Sequence, residues 1–327
     1  MNIKNELEKR THIFNNELKK YLVEKNPEML YKSANHLLYG GGKRLRPSLA
    51  ILCCESVSGD TAQVMPFAVA LELVHNFTLV HDDIMDNSHM RRNIPTVHVK
   101  FGEPTAILAG DFLFAKSFEA MHSLSIDLPI FKELEYGLIK CVEDICKGQQ
   151  LDMEFEKRTI VTEDEYLRMI QKKTAVLFRF AARGGAIIGK GSKDEINALT
   201  DYGRFLGLAF QIWDDYLDIS SNESVLGKDM GNDIRNGKKT LIAVHSIENL
   251  DNKNKDILKN IFGNKNATDA DIKKIFQLFK ESKSIEYAKN VALDYSNKAK
   301  KSLKILKDSH AKRILEELAD YSIRREK

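Results

Sequence analysis

Apolar positions recur at three- and four-residue steps over 65–86, where Ala70, Leu71, Val74, Phe77 and Thr78 mark the stripe, and again over 130–155, 163–188 and 193–219. This spacing predicts long helices, each with one face turned to a core. Strand signals are nearly absent: 159–162 is the only short β-branched cluster, and it does not alternate over a useful length. The periodicity breaks at the glycine run 40–42, at 87–104 and at 220–239, and the six prolines, Pro129 the last of them, sit at or near such breaks. No glycine/serine-rich linker, composition shift or solenoid-length repeat divides the chain. The pattern therefore predicts an all-α fold, one helical domain over 1–327.

Composition narrows the function classes. With 43% hydrophobic and 30% charged residues the chain can bury a large core, which excludes disorder. Lys and Arg total 50 against 47 acidic residues, a net charge of +3, too small over 327 residues to mark a nucleic-acid binder. The N-terminus, MNIKNELEKR, is charged and lacks the apolar run of a secretory signal. The most apolar stretches are interrupted, by Glu72, His75 and Asp82 in one case and by 183–185 in another, which predicts no transmembrane segment. Cys53 and Cys54 are vicinal and Cys141 and Cys146 loosely spaced, with no zinc-ligand pattern, so they read as buried thiols in a reducing cytoplasm. The lysine-rich region after Asn249 reads as solvated helix faces.

The candidate chemistry lies in two copies of one pattern, Asp82, Asp83 and Asp86 in HDDIMD and Asp214, Asp215 and Asp218 in WDDYLD. At about 100° per residue, positions i and i+4 stand one above the other, so Asp82 with Asp86, and Asp214 with Asp218, share a helical stripe. Each cluster follows an apolar run, where uncompensated carboxylates are costly, and so each calls for a cation. A single copy is equally well read as a solvated helix end; two copies make that reading poor. Oxygen donors without His or Cys suit Mg²⁺, which completes its shell with water and substrate phosphates. A calcium loop is disfavoured, since neither cluster has the D-x-D-x-D-G spacing with a glutamate at the twelfth position.

Basic residues gather around the same segments. GGGKRLRP carries Lys43, Arg44 and Arg46; Arg91 and Arg92 follow the first cluster; Lys228 and Lys238 follow the second, in GKDMGNDIRNGKK. Any one of these alone is an ordinary surface charge. Together with the carboxylates they describe a site for diphosphates.

GGGKRLRP, HDDIMDNSHMRRNIPTVH, KGQQLD, the pair Lys173–Thr174, and FQIWDDYLD with GKDMGNDIRNGK resemble, in order and spacing, the trans-isoprenyl diphosphate synthases (polyprenyl synthetases). The resemblance runs from Lys43 to Lys238 and weakly to LADYSIRREK, and HNFTLVHDDIMD is most similar to the archaeal short-chain farnesyl and geranylgeranyl diphosphate synthases. It implies an all-α isoprenoid-synthase bundle around a deep apolar cavity, with the aspartate motifs facing each other across its mouth. It further implies about three Mg²⁺ ions, with Asp82, Asp86 and Asp214 as direct ligands and Asp83, Asp215 and Asp218 in support.

By the same resemblance, Lys43, Arg46, His75 and Arg92 match positions that bind the isopentenyl diphosphate. Arg91, Lys173, Gln211, Lys228 and Lys238 match contacts to the allylic diphosphate, and Thr174 and Gln211 offer oxygen dipoles to the developing allylic cation. His75, seven residues before Asp82, points to roughly the same side of a helix. The implied reaction is the Mg²⁺-dependent head-to-tail condensation of isopentenyl diphosphate with an allylic diphosphate in a cytoplasmic homodimer, with no nucleic-acid partner.

One helical turn, about 5.4 Å, is comparable with an isoprene unit, so bulk one to two turns before Asp82 can act as a floor for the growing tail. Helical geometry alone leaves Phe77 and Thr78 both open. In resembling enzymes an aromatic at the Phe77 position beside a small residue at the Thr78 position implies a C20 product, geranylgeranyl diphosphate, with farnesyl diphosphate (C15) able to be released alongside it. A terpene cyclase and a non-catalytic partner subunit are the rival readings; cyclases typically lack the second aspartate motif, and partner subunits tend to lose one.

Overall fold

The computed structural model describes residues 3–23, 26–220 and 233–324. Its helices are α1 (Ile3–Leu18), α2 (Glu28–Tyr39), α3 (Leu45–Ser56), α4 (Thr61–Met85), α5 (Val97–Phe101), α6 (Glu103–His122), α7 (Leu128–Glu156), α8 (Glu163–Ile170), α9 (Val176–Ile188), α10 (Lys193–Ser220), α11 (Leu241–Asn249), α12 (Asn252–Ile261), α13 (Asp269–Glu281), α14 (Ser284–Ser302) and α15 (His310–Ser322). The all-α expectation holds, and the four periodic stretches emerge within a few residues of their expected limits. The stretch 163–188 is not one uniform helix, because a π-helical turn, Gln171–Ala175, joins α8 to α9. Inside the break 87–104 lies a minimal antiparallel hairpin, Met90–Arg91 paired with Ile94–Pro95, which periodicity did not reveal because each strand is two residues long.

Two compact units divide the chain. The first comprises Met1–Leu138, Phe180–Leu199 and Ile305–Leu315; the second comprises Ile139–Arg179, Thr200–Lys304 and Glu316–Lys327. In the first unit α4 packs against α3 and α6, with α1 and α2 alongside, and Phe67 of α4 meets Phe180 edge-to-face at 5.1 Å. In the second, α11 packs on α8, α13 and α14, around a core that includes Tyr166, Ile212, Trp213, Leu241 and Phe279.

By length and composition alone α4 could cross a membrane, contrary to the expectation that no segment qualifies. Its apolar window is mostly buried within the protein, and it ends in the first aspartate cluster, as suits a core helix. Among the cysteines, Cys53, Cys54 and Cys141 are buried free thiols as expected, whereas Cys146, in α7, is exposed.

Candidate active site

Both aspartate clusters sit at the C-terminal ends of their helices, α4 and α10, and neither helix has a basic residue in its last turn. That end carries the negative pole of the helix dipole, so three added carboxylates there depend on neighbouring cations.

In the first unit, Asp86 caps α4 and is exposed, Asp82 is half-buried, and Asp83 turns inward. Arg91 Nε donates to Asp83 Oδ1 at 2.8 Å. Burial raises the Asp83 pKa even though Arg91 pulls it down. The hairpin explains how the arginines reach this region. Its two turn residues, Arg92 and Asn93, both have positive φ, +53° and +62°, as a type I′ turn requires. A bulky residue rarely holds that conformation, and its use here fixes the direction of Arg92. The Arg92 guanidinium donates to the Leu37 carbonyl at 3.0 Å and to the Gly41 carbonyl. Gly42, at φ +138°, permits the approach, since a Cβ there would lie 3.0 Å from the guanidinium carbon.

Arg46, in the first turn of α3, lies 3.1 Å from His75 Nε2, which must accept the guanidinium proton. Burial and the charges of Arg46, Arg92, Arg91 and Arg44 hold the His75 pKa well below its ordinary value, so the ring is neutral. Lys43 is exposed on the glycine loop. Arg44, counted with the basic set in sequence, belongs instead to the interior: it is buried against Glu72 at 2.5 Å and bonds the Leu38 carbonyl. Five residues before Asp82, Phe77 is half-buried and packs on Phe114 of α6 at 5.1 Å and on His81 at 5.2 Å. Thr78 is buried, its hydroxyl committed to the His75 carbonyl at 2.8 Å.

In the second unit, residues at i, i+4 and i+8 of α7 form one stripe, Asp144, Gly148 and Asp152, and all three meet the π turn. Asp144 takes Lys172 at 2.7 Å and Asp152 takes Lys173 at 2.6 Å. Between them, a Cβ on Gly148 would fall 2.3 Å from the Lys173 backbone nitrogen. The extra residue of a π turn shifts side-chain direction along the helix, and here it presents Lys173 and Thr174. Thr174 donates to Gln211 Oε1 at 2.8 Å, Gln211 Nε2 donates to Asp215 Oδ1 at 3.0 Å, and the Tyr166 hydroxyl donates to Asp215 Oδ2 at 2.7 Å. Burial pushes the Asp215 carboxyl up to about 7, against the opposing pull of Lys238, Tyr166 and Gln211. Asp214 and Asp218 are half-buried on the same helix.

Lys238 lies 3.8 Å from Asp233. Burial would lower its pKa, but Asp233, Asp215, Asp152 and Asp218 together outweigh that effect and keep it charged. Lys228 lies outside the described residues.

Sequence reasoning missed four of these partners. Glu72 was visible as the lone acid in an apolar run, and Asp152 as the acid of KGQQLD. Tyr166 and Phe114 meet their partners only through tertiary packing and carried no local signal.

The donor chemistry fits a hard cation. Among the described residues no three His, Cys, Asp or Glu side chains form a closed metal cage. Carboxylates on one helical face, open to water or phosphate oxygen, are what Mg²⁺ accepts.

The polyprenyl synthetase family pattern matches residues 27–279. The chain is 44% identical, over 100% of its own length and 99% of the relative's, to a short chain isoprenyl diphosphate synthase of Methanothermobacter thermautotrophicus. It is 43% identical to a geranylgeranyl diphosphate synthase of Methanosarcina mazei, again over 100% and 99% of the two chains. The crystal structure of a geranylgeranyl pyrophosphate synthetase from Pyrococcus horikoshii superposes with a TM-score of 0.94 at 42% identity, covering 99% and 98% of the chains. With the helical architecture and two aspartate motifs already described, these matches establish the class: the chain belongs to the polyprenyl synthetase family.

Proposed function

We propose that the protein is a trans-prenyltransferase that condenses isopentenyl diphosphate head-to-tail with allylic diphosphates, releases diphosphate, and stops chiefly at the C20 product, geranylgeranyl diphosphate. The observation that carries this reading is that each aspartate motif stands at the negative end of a helix with a cation acting on it, Arg91 on Asp83 in the first unit and Lys238 on Asp215 in the second. The whole chain acts as one catalytic domain, cytoplasmic and homodimeric. Apolar residues exposed in the first unit, Ile107 and Leu108 on α6 and Leu128 and Tyr136 on α7, support a covered face.

Asp82, Asp86 and Asp214 would hold Mg²⁺, with Asp83, Asp215 and Asp218 as support; the metal supplies charge against the departing diphosphate. Arg91, Lys173, Lys228 and Lys238 bind the allylic diphosphate and stabilise the negative charge that grows as the allylic C1–O bond breaks. Lys43, Arg46, Arg92 and neutral His75 hold the isopentenyl diphosphate, whose double bond attacks the allylic carbon. The Thr174 hydroxyl donates a hydrogen bond to Gln211 Oε1 and so keeps its oxygen lone pairs for the cation. Loss of a proton from the isopentenyl unit to the released diphosphate completes the new double bond, and no protein nucleophile is required. Phe77, backed by Phe114, forms the floor for the tail.

A diphosphate-release assay tests the reading. Release should require an allylic diphosphate and isopentenyl diphosphate together, and should stop on chelation and resume with Mg²⁺. Release from the allylic substrate alone would indicate a cyclase, and no release with either would indicate a non-catalytic subunit.

A further inference from the structure

Two consecutive lysines in the segment before α11 are sent to opposite surroundings. Lys238 faces the carboxylates of Asp233, Asp215, Asp152 and Asp218. Lys239 is buried, only 4% exposed, and its ammonium donates to the Gly237 carbonyl at 2.8 Å while lying 5.0 Å from the centre of the Phe262 ring. Burial pushes this amine down to about 8, against the opposite pull of Glu156.

The surrounding backbone is a clamp. The Ile234 carbonyl accepts both Gly237 N at 3.2 Å and Gly263 N at 2.8 Å, so the loop is tied to the end of α12. Lys238 N donates to the Asp233 carbonyl at 3.0 Å, and Thr240 N to the Lys238 carbonyl at 2.9 Å. Gly237 has φ +73°, and a Cβ there would lie 3.1 Å from the Gly263 Cα. Packing alone does not account for a lysine at 239. A buried ammonium is costly, and an apolar side chain of similar length would fill the same volume. What the amine adds is a tether between the carbonyl just before Lys238 and the ring of Phe262, a hydrogen bond and a cation–π contact in a desolvated place.

We propose that Lys239 is a positioning residue, its ammonium bridging Gly237 and Phe262 so that Lys238 is held in place for the allylic diphosphate. The inference rests on the role proposed for Lys238 above. The amine touches no substrate and acts only through its neighbour.

Steady-state kinetics of the full-length enzyme carrying Lys239→Met, Lys238→Ala or both tests it. Lys239→Met should raise KM for the allylic diphosphate about tenfold while leaving KM for isopentenyl diphosphate near that of the parent. In the double variant the two losses should not multiply, because the first residue acts through the second. Wild-type kinetics for Lys239→Met, equal shifts in both KM values, or losses that multiply would each overturn the proposal. Should Lys239→Met fail to fold, Phe262→Leu keeps the lysine, removes the ring and carries the same expectation. Elongation by the wild type in the same assay separates the two claims: without it the reading of the whole site fails, and with it only the role of Lys239 is at stake.

Discussion

Asp86 stands at the cap of α4, beside two other carboxylates and the negative end of the helix dipole, an arrangement that spends stability on a charge the reaction needs. Asp86→Asn should therefore raise the Tm of the metal-free protein by about 0.5–1.5 °C, from a relief of about 0.3–1 kcal/mol, while lowering kcat at least about a hundredfold. Calorimetry and kinetics on one preparation check both halves; an unchanged kcat would remove Asp86 from the site. His75 makes a prediction of different sign. Its folded pKa lies well below 6.5, so below that pH the unfolded chain binds a proton that the folded chain refuses. Stability is then intact above pH 6.5 and falls as pH drops below it, by up to about 1.4 kcal/mol per pH unit from this group. Denaturant midpoints at pH 8 and pH 5 should diverge more for the wild type than for His75→Gln, and parallel profiles would contradict the buried neutral ring.

At the scale of elements, the π turn is the feature on which the second unit's site depends. Gly148→Ala puts a methyl where the Lys173 backbone now lies, so the turn must move and carry Lys173 and Thr174 with it. The expected result is a loss of kcat of about tenfold or more with helical content retained by circular dichroism; wild-type kinetics would show that the close approach is dispensable. On α4, Phe77→Ala should lengthen the product beyond C20, because the ring against Phe114 is then gone; unchanged chain length would remove Phe77 from the floor. These elements also show what a sequence reveals and what it withholds. The long helices announce themselves because a 3.6-residue period persists over many turns. The π turn and the hairpin do not, since one extra residue in a turn, or two strands of two residues, leave no period to read. The aspartate motifs were legible because their chemistry is local in sequence. Tyr166 as the partner of Asp215, Asp152 as that of Lys173 and Glu72 as that of Arg44 became assignable only when packing brought separate helices together, and Arg44 was grouped with the cations of the diphosphate site because nothing local marks it as the partner of Glu72.

For the whole molecule, family membership, helical architecture and the paired aspartate motifs lead to one claim, that this chain lengthens allylic diphosphates by isoprene units. The direct measurement is the product of the purified protein with Mg²⁺, labelled isopentenyl diphosphate and, in parallel, dimethylallyl, geranyl or farnesyl diphosphate, with chain length read after dephosphorylation. The prediction is a ladder that ends at C20 from every primer and vanishes with chelator. Folded protein that elongates none of the three primers would contradict it.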